Sequence, residues 1–215
     1  VEDPRAEPGM VVIDVKAAGV SFPDVLIVQG KYQFQPPFPF SPGGEIAGVI
    51  SEVGEGVADW KEGDRVIAMV GNGGIAEKTS AYAATLMPLP ESMDFKDGAA
   101  FPLNYGTTYY ALKQRGELKK GETLLVTGAG GGVGTTAIEI GKAMGARVIA
   151  AASNQEKLDI AKRLGADEVV NYGDGELKEK VKELTDGLGA DVIYDAVGGD
   201  IFLQCMRCIN WKGRV

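Results

Sequence analysis

The chain of 215 residues is 45% hydrophobic, 24% charged and 7% aromatic, with 31 glycines, 10 prolines and no histidine, enough length for one to two domains with a real core. Twenty-two basic against 30 acidic residues give a formal charge of −8 and a pI near 4.7, which excludes a general nucleic-acid or anionic-membrane binder because such proteins need basic stripes. The lack of histidine excludes, within this chain, a Ser-His-Asp triad, a histidine base and any metal site that needs an imidazole.

In chain order, short β-type runs come first, at 10–15, 46–50, 64–69 and 74–78. Glycine and proline separate them at intervals of about ten residues, the pattern of an all-β barrel or sandwich. Residues 33–44 carry Pro36, Pro37, Pro39 and Pro42 among Phe34, Phe38 and Phe40. Proline lacks an N–H and fixes φ, so this stretch is neither helix nor central strand but a shaped loop. From about residue 96 the texture changes. Residues 97–112 read as helix and 118–121 as a turn. Strands at 122–126, 147–152, 168–170 and 192–197 then alternate with helices at 134–144, 155–164 and 176–184. That alternation means βαβ units around a parallel sheet. Ser153 or Asn154 is positioned to cap the helix at 155–164, and Gly165 to close it. Two textures imply two domains, 1–98 and 99–215.

Cys205 and Cys208 form a lone C-x-x-C. Without a second pair it is a poor zinc site, and it is expected within an amphipathic helix over 202–209 with the thiols facing the core. A further strand is expected to begin near residue 212. No run approaches the roughly 18 apolar residues that span a bilayer, and no secretory pattern opens the chain. A cytoplasmic protein with reduced thiols and no membrane partner is expected. Both ends, Val1 and Val215, are expected to be internal to a longer protein.

The sharpest local signal runs from Leu124 to Ile138, where a hydrophobic strand enters glycines and then opens a helix. Ala129, Gly131 and Gly134 give A-x-G-x-x-G rather than the strict G-x-G-x-x-G. Residues without side chains let backbone approach a diphosphate, and helix-terminal N–H groups point at the anion. The turn follows the first strand of the βαβ series, where a dinucleotide fingerprint belongs. No G-K-[ST] follows Gly134, so a P-loop is a poorer reading; a purely structural tight turn is the plain alternative. An NAD site calls for Asp or Glu at the tip of the second strand, to bind the ribose 2′-hydroxyl. Here the tip reads Ala152-Ser153-Asn154-Gln155-Glu156-Lys157. Ser153 and Asn154 can donate to a 2′-phosphate and Lys157 supplies charge, so NADPH is the expected coenzyme. Either residue can also serve simply as the helix cap.

These residues resemble the medium-chain dehydrogenases/reductases, and within them the zinc-free quinone oxidoreductase branch. The segment Pro42-Gly43-Gly44-Glu45-Ile46-Ala47-Gly48-Val49-Ile50-Ser51-Glu52-Val53-Gly54 is similar to the family's G-x-E-x-x-G-x-V-x-x-V-G, and Gly63-Asp64-Arg65-Val66 follows. Thr107-Thr108-Tyr109-Tyr110-Ala111-Leu112 and Lys162-Arg163-Leu164-Gly165-Ala166-Asp167 are further matches. Zinc alcohol dehydrogenases of the superfamily have G-H-E where this chain has Gly43-Gly44-Glu45, so no metal is expected. Gly44 and Glu45 are then expected to be a turn and a buried carboxylate.

The resemblance implies a GroES-like β-barrel domain plus a doubly wound Rossmann domain with a cleft between them, the last Rossmann strands lying outside this chain. By position it implies Gly131, Gly132 and Val133 at the pyrophosphate. Ser153, Lys157 and Tyr172 would stand at the 2′-phosphate end, beside Asn154. Thr107 would lie on the nicotinamide side, with Val197 and Gly198 at the adenosine ribose. Tyr32 and Ser21 are the candidate catalytic hydrogen-bond donors, with Phe34, Phe38 and Phe40 as an apolar lip. The implied function is a zinc-independent, NADPH-dependent reductase of quinones or α,β-unsaturated carbonyls, acting as a homodimer. An enoyl-thioester reductase and a non-catalytic NADPH-binding protein are the alternatives.

Overall fold

The computed structural model describes residues 2–215, which form two compact units divided between Leu103 and Asn104. In the first, β1 (Met10–Gly19), β2 (Glu45–Val53), β3 (Arg65–Met69), β4 (Lys78–Tyr82) and β5 (Met87–Pro88) make one antiparallel sheet in the order β4-β1-β2-β3-β5. Successive strand side chains point to opposite faces, and the sequence supplies apolar residues on both. Val11, Ile13, Ile46, Ile50 and Val66 pack together on one side. Ala47, Ile67, Leu89 and Ala99 pack on the other.

Two local expectations change in this unit. The strand expected at 74–78 lies instead at β4. Gly74 N–H donates to Gly43 O and Ile75 N–H to Pro42 O, so that backbone is tied to the proline loop rather than to the sheet. A helix, α1 (Phe22–Val28), stands where no element was expected. Its signal was present as Ser21-Phe22-Pro23-Asp24, a capping box with proline in the first turn.

The helix α2 (Phe95–Tyr109) carries the division between the units and runs on into a π-helical segment, Tyr110–Arg115. The second unit then alternates as expected. Its strands are β6 (Thr123–Thr127), β7 (Arg147–Ala152), β8 (Glu168–Asn171), β9 (Ala190–Tyr194) and β10 (Ile209–Arg214). Its helices are α3 (Gly132–Ala143), α4 (Gln155–Arg163), α5 (Leu177–Leu184) and α6 (Gly199–Cys205). All strand pairs are parallel, in the order β10-β9-β6-β7-β8. Counted from β6 this is the doubly wound order 3-2-1-4-5, whose direction reverses between β6 and β9. Strands covered on both faces are continuously apolar. Leu124 and Val126 face Ala137 and Ile138, while Leu125 faces Leu177, Val181 and Cys205.

The expected helix over 202–209 ends at Cys205. Cys208 leaves the helix because its carbonyl accepts from Ala190 N–H, which brings the chain into the β9–β10 ladder. Both thiols are buried and free, and burial pushes them up to about 12 for Cys205 and about 11 for Cys208.

Candidate functional site

In an open parallel sheet, ligands bind beyond the carboxyl ends of the strands, where the strand order reverses. That point in the second unit is the end of β6, and the glycine turn occupies it. Gly131 caps α3 with no side-chain cap bond, and the first N–H groups of any helix have no partner within it. A Cβ at Gly131 would meet nothing nearer than Gly128 O at 3.4 Å, so the space above the turn is open. The other glycines are pressed by neighbours. A Cβ at Gly130 would lie 2.5 Å from Lys157 Cγ, one at Gly132 2.6 Å from Asn104 Oδ1, and one at Gly134 2.3 Å from Gly128 O. The turn is therefore pressed by the Lys157 and Asn104 side chains at Gly130 and Gly132 and by backbone at Gly134, and is open at Gly131.

Of the residues singled out in the sequence, Lys157, Val197 and Tyr172 reach this turn. Lys157, from α4, runs against Gly130, and among the described residues no carboxylate pairs with it. Asn154 caps α4, its Oδ1 accepting from Lys157 N–H at 3.1 Å; its amide N–H groups remain for a ligand. Ser153 is exposed beside it. Val197 lies against Gly128, where an added Cβ would sit 3.2 Å from its Cγ2. Tyr172 N–H donates to Ala152 O at 3.1 Å. Its phenol is held above its usual range by burial and then by the Asp195 charge, against an opposing bond from the Gly128 backbone. Thr107 is exposed on the last turn of α2.

Sequence reasoning passed over the residues that support the turn from behind. Asp195 accepts from the Thr127 hydroxyl and from the N–H groups of Val197 and Gly198, fixing the loop that leaves β9. Thr108, fully buried, bonds to Thr136 at 2.8 Å and so locks α2 to the start of α3. The only signal in the sequence was hydroxyl and carboxyl residues at strand ends, which is too common to single them out. The set fits an extended anion: unpaired N–H groups, one unpaired lysine and no carboxylate at the β7 tip.

A second feature belongs to the first unit. An apolar cavity of about 150 Å³ is walled by residues that include Ser21, Ile27, Tyr32, Phe34, Met69 and Leu103. The two candidate catalytic residues thus share one pocket. Ser21, however, directs its O–H to Asp24 Oδ2 at 2.7 Å, so it presents lone pairs to the cavity and is not a free donor. The Tyr32 hydroxyl makes no hydrogen bond among the described residues. Of the expected aromatic lip only Phe34 lines the cavity; Phe38 is 87% exposed and packs on Phe40, with ring centroids 5.2 Å apart.

Asp24 and Glu45 also line this cavity and are almost fully buried. Burial raises Asp24, but bonds from the Ser21 hydroxyl and the Ser21, Gly43 and Gly44 N–H groups outweigh it and hold the carboxyl below its usual value. Glu45 goes the other way. Burial and then the Asp24 charge push it up, opposed by the Leu103 N–H that donates to its Oε2 at 3.0 Å. Among the described residues, no group of three or more His, Cys, Asp or Glu side chains is placed to hold a metal.

Residues 7–91 match the family model described as alcohol dehydrogenase GroES-like domain, and residues 132–215 match that described as zinc-binding dehydrogenase. The chain is 44% identical over 207 residues to quinone oxidoreductase-like protein 2 homolog of Nematostella vectensis, covering 95% of this chain and 56% of that protein. It superimposes on the Escherichia coli quinone oxidoreductase complexed with NADPH with a TM-score of 0.91 at 36% identity, covering 99% of this chain and 66% of that one. A solved NAD-dependent alcohol dehydrogenase gives a TM-score of 0.95 at 32% identity, covering 100% and 70%. The chain spans less than two thirds of the length of the curated relatives it matches. With a GroES-like unit, a Rossmann unit and a glycine turn at the strand-order reversal, the chain belongs to the medium-chain dehydrogenase/reductase superfamily, in its quinone oxidoreductase branch.

Proposed function

We propose that this chain forms the coenzyme-binding and acceptor-binding parts of an NADPH-dependent, zinc-independent reductase that delivers hydride to a quinone or an α,β-unsaturated carbonyl. The observation that carries the coenzyme choice is the β7 tip, where Lys157 stands unpaired against Gly130 and no carboxylate meets a ribose 2′ position. A 2′-phosphate finds charge and the donors Ser153 and Asn154 there, whereas an NAD ribose lacks its usual carboxylate partner. Gly132 and Val133 offer their N–H groups to the pyrophosphate, and Gly131, whose own N–H donates to Gly128 O at 2.9 Å, lets it approach by carrying no side chain. Tyr172, Val197 and Gly198 border the nucleotide, and Thr107 serves the nicotinamide end. When bound, the reduced nicotinamide supplies the hydride.

On the acceptor side, the apolar cavity admits a flat or acyl group and excludes water. Tyr32 donates a hydrogen bond to the oxygen on which negative charge grows, and Ser21 shapes the wall through its bond to Asp24. Within this chain no histidine replaces the missing zinc ligand beside Glu45, so the barrier is lowered by positioning and hydrogen bonding. We further propose a cytoplasmic homodimer. The free thiols of Cys205 and Cys208 favour a reducing compartment.

The decisive experiment follows the absorbance of NADPH and of NADH against a panel of quinones, enals, enones and enoyl thioesters. The proposal expects NADPH consumption with a quinone or enone and at least about a tenfold weaker response with NADH. Preference for enoyl thioesters would move the assignment to that class of acceptor. Tight NADPH binding with no consumption on any acceptor would refute the reductase.

A further inference from the structure

We propose that Glu45 is the proton donor of the apolar cavity: its carboxyl passes a proton to the acceptor oxygen that becomes negative when hydride arrives. This rests on the reading of the cavity as the place of the hydride acceptor.

The geometry leads there by elimination. The cavity walls carry three titratable side chains, Asp24, Tyr32 and Glu45, and no lysine or arginine. Each element packed around Glu45 can be checked in turn. α1 brings Asp24; the segment after it brings Tyr32. The end of β1 contributes Gly19, whose missing side chain makes room, since a Cβ there would lie 2.6 Å from Glu45 Cγ and 2.7 Å from Oε1. β3 brings Met69, paired with Glu45 across the ladder, and α2 brings the Leu103 N–H. No cation faces the carboxyl from any of them.

Two carboxyls thus share one apolar wall, and their surroundings treat them oppositely. Asp24 is bonded by the Ser21 hydroxyl and by N–H groups of Ser21, Gly43 and Gly44, so it keeps its charge. Glu45 has, among the described residues, the single donor Leu103 N–H, and it faces the Asp24 charge across a medium of low dielectric. Titratable neighbours driven apart in this way divide into a fixed anion and a retained acid. Tyr32 then orients the acceptor oxygen by a hydrogen bond while Glu45 holds the transferable proton.

The step balances. A nicotinamide C–H bond breaks and its electron pair forms a C–H bond at the acceptor carbon; the coenzyme is oxidised and the acceptor reduced. The Glu45 O–H bond breaks, its proton forms an O–H bond on the acceptor oxygen, and the carboxylate left behind takes a proton from water.

The test uses the full chain and two readouts. Difference infrared spectroscopy of wild type against Glu45→Gln, titrated with pH in the absence of coenzyme, is expected to show a protonated carboxyl that persists above the range of a free glutamate. Steady-state rates with a quinone are expected to fall in wild type as pH rises through that same titration. Glu45→Gln keeps an acceptor for the Leu103 N–H, and is expected to be about 10²-fold slower with the alkaline limb gone. Asp24→Asn, by removing the neighbouring charge, is expected to move the limb to lower pH. Should Glu45→Gln misfold, the wild-type limb and its displacement in Asp24→Asn still decide the matter. Turnover in Glu45→Gln at the wild-type rate with an unchanged pH profile overturns the role of Glu45 while leaving the reductase standing, and so does a carboxyl that titrates like a free glutamate. Failure of wild type to reduce any acceptor overturns the reductase reading itself, whatever the infrared titration shows.

Discussion

Two alanine substitutions in the glycine turn separate what the fold needs from what a ligand needs. At Gly134 a new Cβ would sit 2.3 Å from Gly128 O and 2.9 Å from Ala129 Cα, both backbone atoms that have nowhere to move. Overpacking of this kind costs about 1–3 kcal/mol. Against that, alanine in the body of α3 recovers about 0.8–1 kcal/mol of helix propensity. Taking the upper half of the overpacking range leaves a net loss of about 1–2 kcal/mol, or roughly 2–8 °C in melting temperature at about 2–4 °C per kcal/mol for a chain of this size. At Gly131 the nearest atom to a new Cβ is 3.4 Å away and φ is −89°, which any residue adopts. Only the weaker N-capping of alanine is felt, on the order of 0.5 kcal/mol, and melting should move by about 1–2 °C. Coenzyme affinity should respond in the opposite sense, because the new methyl at Gly131 projects into the open space above the turn. A loss of about tenfold or more in NADPH affinity, equivalent to about 1.4 kcal/mol, is expected for Gly131→Ala. Differential scanning calorimetry and fluorescence titration with NADPH measure the two effects. The reasoning is refuted if Gly131→Ala melts as low as Gly134→Ala, or if it binds NADPH as wild type does.

Lys157→Ala should weaken NADPH by about 10- to 100-fold while leaving NADH within about twofold, since a hydrogen bond to a charged group contributes about 1.5–3 kcal/mol; paired titrations decide it, and equal losses for both coenzymes would remove Lys157 from the 2′-phosphate. Because the folded-state value of Asp24 is depressed, its stabilisation is present above its ordinary carboxylate value and is lost as pH falls through the folded one. The stability gap between wild type and Asp24→Ala should therefore be about 1.5–3 kcal/mol near neutrality and should narrow as pH falls below about 4; a gap independent of pH contradicts the buried anion. The thiolate is the reactive form of cysteine, and burial pushes both thiols up, Cys205 to about 12 and Cys208 to about 11. Native protein at pH 8 should resist thiol reagents that label both residues after denaturation, and rapid native labelling would show that the end of α6 opens.

Much of this protein was legible along the chain because the evidence was local. The alternation of apolar strands with capped helices announced a parallel sheet, and Asn154 followed by Gly165 bracketed α4 within a residue. The glycine turn was equally clear, since a strand that runs into glycines and then opens a helix is written in consecutive residues. Short-range signals that were present but weak went astray. Ser21-Phe22-Pro23-Asp24 begins α1, yet a run this short offers too little periodicity to announce a helix. Residues 74–77 look like strand, but the N–H groups of Gly74 and Ile75 are claimed by Gly43 and Pro42 some thirty positions earlier.

Composition and pattern alone determined the two-unit architecture, the absence of any imidazole chemistry within the chain and the place of the glycine turn between β6 and α3. Tertiary structure alone decided which polar groups have partners. Ser21 looked like a donor to a ligand, but its O–H is directed to Asp24; Glu45 is the buried carboxylate that was expected, and the structure adds the Asp24 charge and the apolar wall beside it; Asp195 drew no notice until Thr127 and the Gly198 loop were seen to converge on it. The reason is physical: a residue's type sets which hydrogen bonds and charges it can offer, but its pKa and free valences depend on the neighbours it meets in the fold, some three residues along, as for Ser21 and Asp24, and some delivered by chain closure, as Leu103 is to Glu45 and Thr127 to Asp195.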